Sequence, residues 1–279
     1  MTFRARWFGR FFGAAAVGAM KIATYETELT DAQWGYLQPM LPKSKKRGRP
    51  PTDRRQVINA ILYILKGGVP WRLLPKSYPP WKTIDHIFRA WSIDHTWAAL
   101  NDALRACLRA QGARQPQPSA AILDCQSVKS DGHGGEVGFD AGKKIKGRKR
   151  HVLVDTLGLV LGAVLTPANC PDRDGAQRVL RRVGDWFPKL RRLWVDGGYT
   201  GDTFRQWVHA NWPKLEVEVV KRSDSTTGFA VLPRRWVVER TFGWLMRHRR
   251  LVRDYERTET SAESWIYLAM IRIQLRRLA

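Results

Sequence analysis

The chain has 279 residues, 44% hydrophobic and 26% charged, an ordinary composition for a soluble globular protein and enough for one large or two small cores. Its 48 Lys and Arg against 25 Asp and Glu leave a formal charge of +23, which points to a nucleic acid or an anionic membrane surface; a basic composition inherited from an Arg-rich genome is the plainer reading of the same number. Three cysteines, with no Cys-x-x-Cys or His-Glu-x-x-His pattern, exclude a disulfide framework and the common zinc arrangements and fit a reducing cytoplasm.

Residues 1–24 read as an N-terminal extension. Arg4, Arg6 and Arg10 precede an apolar run, Phe11 to Met20, that is too short to span a membrane, and a translation start at Met20 is the preferred reading. Residues 25–113 are expected to be helical and to bind DNA. Thr30 offers an N-cap to a helix carrying Trp34, Leu37 and Leu41, which Pro42 ends. A basic, Pro/Gly-rich stretch from Lys43 to Arg55 leads into a helix with Val57, Ile58, Ile61, Leu62 and Leu65 on one stripe, closed by Gly67 and Gly68. Trp71 to Pro75 forms a turn. Helices follow from about Thr83, with Ile84, Ile87, Phe88 and Trp91 at helical spacing, and from about Thr96 to Leu108. Short helices joined by tight basic turns suit a helix-turn-helix module, and equally a plain helical bundle.

Residues 114–119, rich in Pro and Gln, read as a linker, and residues 120–279 as a second domain. Strands are expected at Ala121 to Cys125, His151 to Asp155, Leu159 to Leu165, Leu190 to Asp196 and Glu216 to Val220. Helices are expected from about Gly175 to Val183, Asp202 to Asn211, Arg234 to Leu251 and Ala262 to Leu275. This order matches an α/β, ribonuclease-H-like mixed sheet flanked by helices, preceded by a small helical domain.

Three carboxylates stand out. Asp124 ends the apolar run Ala120 to Leu123. Asp196 ends Leu193 to Val195 and precedes Gly197-Gly198, where a tight turn lets backbone approach a ligand. Carboxylates at the ends of sheet strands gather at one edge of an open α/β sheet. Strand alternation turns Asp124 with Ile122 and Gln126, away from Cys125, which reads as a small packing residue. Glu239 falls on a helix face with Arg235, Phe242, Met246 and Arg250, opposite an apolar stripe of Val237, Trp244, Leu245 and Val252. Alone it reads as a solvated ion-pair residue; with the aspartates it becomes the third corner of a metal site. Magnesium takes oxygen ligands, usually one or two carboxylates plus phosphate oxygens, so this trio in a polycation suits metal-dependent chemistry on DNA.

Lys143, Lys144, Lys146, Arg148, Lys149 and Arg150 form one basic cluster, and Arg247, Arg249, Arg250 and Arg253 another; either is a phosphate-binding face or a solvated charge run. Asp172 and Asp174 read as turn and N-cap residues, and Asp155 as the shaper of a hairpin turn. Most of the 13 tryptophans fit apolar stripes and read as core, not as base-stacking platforms.

Several motifs carry a family resemblance: Leu29-Thr30-Asp31-Ala32-Gln33-Trp34, Val69-Pro70-Trp71-Arg72, Asp124-Cys125-Gln126-Ser127-Val128-Lys129, Gly147-Arg148-Lys149-Arg150-His151, Thr166-Pro167-Ala168-Asn169, Asp196-Gly197-Gly198-Tyr199 and Val238-Glu239-Arg240-Thr241-Phe242-Gly243-Trp244-Leu245. In this order the chain resembles a bacterial insertion-sequence transposase of the insertion-sequence-five group, within the D-D-E transposase superfamily. The resemblance implies Asp124, Asp196 and Glu239 as catalytic residues that bind Mg²⁺, with Mn²⁺ as a substitute. It implies hydrolysis at element ends, attack of the freed 3′-hydroxyl on target DNA, a homo-oligomer in the synaptic complex, and a cytoplasmic, nucleoid-associated protein with no membrane partner. Of the related Tyr-x2-Arg-x3-Glu-x6-Lys signature, Arg235 and Glu239 fit, while Leu232 and Met246 replace the tyrosine and lysine and Arg247 adjoins the missing lysine. Arg235, Arg247 and Arg250 join the lysine-rich run as expected DNA contacts.

Overall fold

The computed structural model describes residues 25–42, 51–132, 135–220 and 234–279. The readings of 1–24, of the basic stretch 43–50 and of Leu232 lie outside the described residues. The chain divides into two compact units: the residues up to Arg114 together with Tyr267–Ala279, and Gln115–Ile266.

In the first unit, α1 (Asp31–Leu37) opens with a reciprocal cap. Thr30 Oγ1 accepts from the Gln33 amide, and Gln33 Oε1 accepts from the Thr30 amide, each at 3.2 Å. Asp53 caps α2 (Arg54–Gly67), and Gly68 ends it in the left-handed region at φ 70°. The stripe Val57, Ile58, Ile61, Leu62 and Leu65 is buried, as the spacing predicts. Helices α3 (Trp81–Ile93) and α4 (Thr96–Gln111) follow, with α3 packed on both α2 and α4.

The second unit is built on β1 (Ala120–Lys129), β2 (Gly138–Asp140), β3 (Ile145–Asp155), β4 (Val160–Pro167), β5 (Arg192–Val195) and β6 (Glu216–Val219). Strand β3 pairs antiparallel with β1 on one edge; on the other it pairs with β2 through Ile145–Gly147 and with β4 from Arg148 onward. Strands β1, β5 and β6 run parallel to one another. The result is the mixed α/β sheet expected, flanked by helices. Asp155 shapes the β3–β4 turn: its Oδ1 accepts from the amides of Leu157 and Leu159, both at 2.9 Å.

Helices α5 (Asp172–Val183) and α6 (Asp202–Asn211) cover one sheet face. There Ala121, Leu123, Leu153 and Leu161 meet Val179, Leu180, Val183, Phe204 and Val208. Each fully buried aliphatic side chain contributes about 1.5–3 kcal/mol over its exposed state.

The C-terminal helices depart from expectation. Instead of one helix to Leu251, α7 (Trp236–Met246) and α8 (Arg249–Val252) are separated by His248 in an extended conformation at φ −104°, ψ 113°. Buried His248 lies with Nδ1 3.2 Å from the Leu245 carbonyl, and Arg150 donates to the Leu251 carbonyl at 2.6 Å, so side chains take over where the helix stops. The break also turns Val252 to solvent, off the apolar stripe predicted for it. Helix α9 (Glu259–Leu278) starts in the second unit and finishes in the first, so the C-terminal boundary differs from the single domain expected over 120–279. The returning segment buries Leu268, Ala269, Met270, Ile271 and Leu275, and Gln274 Nε2 donates to Asn101 Oδ1 of α4 at 3.3 Å.

Two buried charges give predictions. Arg148 Nη1 lies 3.1 Å from Asp254 Oδ2, with both side chains 2% exposed. Removing one partner of such a pair leaves an uncompensated buried charge. Asp254→Ala should therefore lower the free energy of unfolding by about 3 kcal/mol in urea denaturation. Burial pushes the Glu263 carboxyl up to about 7, against the opposing charge and hydrogen bond of Arg182. A raised folded-state value favours the protonated form on folding, so this contribution is full below about pH 4.5 and is lost as pH rises through about 7. Thermal melts across that range should show the wild type losing stability relative to Glu263→Gln as pH rises.

Candidate active site

The parallel pairing of β1 with β5 sets the site. It matches Ala120 with Arg192, Ala121 with Leu193 and Ile122 with Trp194, an offset of 72 residues. The same offset carried two residues further brings Asp124 level with Asp196, just past the end of β5. Asp124 Oδ1 accepts from the Cys125 amide at 2.7 Å. Asp196 caps the short turn Gly197–Tyr199, its Oδ1 accepting from the Gly198 amide at 2.8 Å.

Helix α7 packs on β1 and carries Glu239 in its first turn. Arg235 stands just ahead of that helix. Its Nη2 lies 3.3 Å from Glu239 Oε1 and 3.8 Å from Asp196 Oδ2. One guanidinium therefore ties the second aspartate to the glutamate, at the strand end where Asp124 and Asp196 come level. Glu239 is the open member, with a side chain 55% exposed.

Burial pushes the Asp124 carboxyl up to about 6; the Cys125 amide opposes this, Asp196's charge adds to it, and Arg235 and Lys143 pull it down. Two carboxylates at close quarters, one of them buried, create the demand for positive charge that a hard cation meets. In donor chemistry the trio fits such an ion, since all of its ligands are oxygens. Among the described residues no group of three or more His, Cys, Asp or Glu is gathered tightly enough to hold a metal. In this arrangement Arg235 supplies the positive charge between Asp196 and Glu239.

The basic cluster divides in two. Lys143, Lys144 and Lys146 are exposed, and Lys143 is near enough to act on the Asp124 charge. Arg148, Lys149 and Arg150 are not surface cations, which corrects the expectation of phosphate contact for them. They lie in β3, flanked by β1 and β4, and their charges are taken up inside the fold. Arg148 pairs with Asp254, Arg150 donates to Leu251, and Lys149 lies 2.8 Å from Asp172 Oδ1. Arg247 is exposed, whereas Arg250 is held by Glu256 at 2.5 Å and lies over the rings of Tyr255 and Trp265.

Sequence reasoning missed Asp172. It is the first residue of α5, and its carboxylate faces Lys149 and Cys125 beside the Asp196 turn. Cys125 itself is buried on the face opposite Asp124, and burial, followed by the charge of Asp172, pushes its thiol up. It remains a packing residue and not a nucleophile.

Residues 115–274 match a family model described as "Transposase DDE domain", and residues 29–101 match one described as "Putative transposase of IS4/5 family". Among named relatives, the chain is similar to "Insertion element IS402 uncharacterized 16.2 kDa protein" of Burkholderia cepacia, 32% identical over 39% of this chain and 78% of that protein. It is similar to "Putative transposase for insertion sequence element IS402" of the same species, 31% identical over 40% of this chain and 54% of that protein. It is also similar to "Putative transposase for insertion sequence element IS6501" of Brucella ovis, 28% identical over 46% of this chain and 98% of that protein.

Because the Cys125 thiol is buried and held protonated, a colourimetric disulfide reagent at pH 8 should modify Cys170 in the native protein and reach Cys125 only on unfolding. Rapid native labelling of Cys125, located by peptide mass, would contradict this.

Proposed function

From the premise that this chain belongs to the DDE-domain transposases, we propose that it binds the terminal inverted repeats of its own element, cleaves DNA there and joins the 3′ ends to target DNA. The β1–β5 register that levels Asp124 with Asp196, with Glu239 linked to Asp196 through Arg235, is the observation that carries this reading. The family generally uses divalent metal; Asp124, Asp196 and Glu239 would hold Mg²⁺, or Mn²⁺ in its place, which when bound supplies Lewis-acid activation of the phosphate and charge for the leaving oxygen. In cleavage, a water oxygen bonds to phosphorus and the bond to the 3′ oxygen breaks, leaving a 3′-hydroxyl and a 5′-phosphate. In joining, that hydroxyl oxygen bonds to a target phosphorus and the target's own 3′ oxygen leaves, so one phosphodiester forms for each one broken.

The chain's own residues supply binding and orientation. Lys143 acts electrostatically on Asp124, and exposed Lys144 and Lys146 extend positive charge from it. Arg235 fixes the carboxylates of Asp196 and Glu239 relative to each other, and Arg247 and Arg250 lie beyond α7. The helical unit reads the repeats, and two copies pair to hold two ends together. Among the described residues no helix is long and apolar enough to cross a membrane.

A second reading has its own support. Arg235 pairs Asp196 and Glu239 with a cation of the chain itself, as suits a repurposed sequence-specific DNA-binding protein of this fold.

Oligonucleotides carrying the element ends, incubated with protein and Mg²⁺, should be cut and joined. Asp124→Asn, Asp196→Asn and Glu239→Gln should each lower cleavage more than about a hundredfold, beyond what loss of an outer partner of a metal ligand costs, while end binding persists. Binding without cleavage by the wild type favours the second reading. In DNA binding, Lys144→Ala or Lys146→Ala should reduce the slope of log affinity against log salt by about 0.9 for each phosphate no longer neutralised. Arg150→Ala should lower the melting temperature instead.

A further inference from the structure

The N-terminus of α5 reaches the acidic edge from the opposite side of β1. Gly175 allows it: a Cβ there would stand 2.1 Å from Cε1 of buried His151. With no side chain in the way, the helix lies on β3 and carries Asp172 and Arg173 to the Asp196 turn.

Three contacts define what Asp172 does there. Its Oδ1 accepts from Lys149 Nζ at 2.8 Å, and the same ammonium donates to the Cys170 carbonyl at 2.9 Å. Lys149 in turn lies 4.0 Å from Asp140, which accepts from Ser127 Oγ at 2.5 Å. Asp172 Oδ2 points the other way. It is 3.7 Å from the position a Gly198 Cβ would take, and Asp196 Oδ1 is 3.1 Å from that same position. Arg173 Nε donates to the Gly198 carbonyl at 3.3 Å, pinning the helix to the turn. Burial works against the Asp172 charge, but Lys149 and Cys125 hold its carboxyl below the usual range.

A separate observation concerns the tyrosine that closes the Asp196 turn. Tyr199 is wholly buried, and among the described residues its hydroxyl has no hydrogen-bond partner. It lies within electrostatic reach of Asp124, Asp172 and Asp196. A buried hydroxyl left unpaired within electrostatic reach of three carboxylates is a place for a polar ligand.

We propose that Asp172 is a positioning residue of the metal site, its carboxylate anchored by Lys149 and Cys125 and its Oδ2, on the Gly198 side, directed at the hydration shell of a divalent cation held at Asp196. The inference rests on the metal-dependent reading above and extends it to a fourth carboxylate. Magnesium-type ions keep several waters, and groups that orient those waters commonly set affinity by about ten- to a hundredfold.

The test is titration of the full-length protein with Mn²⁺ alone, following free Mn²⁺ by electron paramagnetic resonance. Asp172→Asn should raise the dissociation constant about ten- to a hundredfold. Asp174→Asn, which removes an exposed charge from the same helical turn, should bind as wild type does. Asp172→Ser, which keeps a good helix-start residue, should reproduce the Asn result and decides the question if the Asn variant does not fold. Wild-type affinity in the Asp172 variants, with binding lost in Asp124→Asn, overturns the role of Asp172 and keeps the three-carboxylate reading. No Mn²⁺ binding by the wild type, or unchanged binding in Asp124→Asn, overturns both.

Discussion

Everything at the acidic edge depends on one backbone constraint, the parallel register of β1 and β5. Hydrogen bonding fixes that register, and side chains on a strand repeat every two residues. Slipping the pairing by one residue would turn either Asp124 or Asp196 to the other face and bury it in the aliphatic layer beneath α5 and α6. The register therefore locks two like charges together. Their repulsion, with the burial of Asp124, is the electrostatic demand that Arg235 partly meets and that a hard cation would meet more fully.

A second constraint lies in the neighbouring strand, on both faces of the sheet. Strand β3 is paired along both edges, yet it carries three consecutive cations, Arg148, Lys149 and Arg150. Each must find a partner within the fold, because an unpaired buried charge costs several kcal/mol. Those partners come from Asp254, Asp172 and the Leu251 carbonyl, and in meeting them the strand fastens the chain after α8 and the start of α5 to the sheet. Cations that look suited to binding DNA thus serve as internal rivets. Of this basic run, Lys143, Lys144 and Lys146 keep their charge exposed.

Much of this was legible in the sequence. Apolar runs ending in Asp124 and Asp196 reported the sheet and its edge. Thr30 with Gln33 marked a helix start, and Asp155 a turn, because these signals are local and their geometry is fixed by covalent spacing. What was not legible depended on distant partners. The run from Lys143 to Arg150 reads as one basic stretch, but only tertiary pairing separates its exposed half from its buried half. Asp172 reads as a helix-start residue and is one; its place beside Asp196 is visible only once Gly175 has let α5 meet His151. The break at His248 likewise follows from burial of its ring and from Arg150 capturing a carbonyl, neither of which a periodic stripe can announce. β2 is three residues long, too short for alternation to register.

The path of α9 has a practical meaning for anyone dissecting the protein. The helix begins among the residues of one unit and ends among those of the other, so the linker after Arg114 is not a place where the chain comes apart cleanly. A fragment stopping there lacks the segment that buries Leu268, Met270 and Leu275, and the complementary fragment carries that segment without the helices that cover it. Each half would expose an apolar strip made to be hidden, and mixing the halves should restore cover to both. The covalent order of the chain thus couples the folding of the two units.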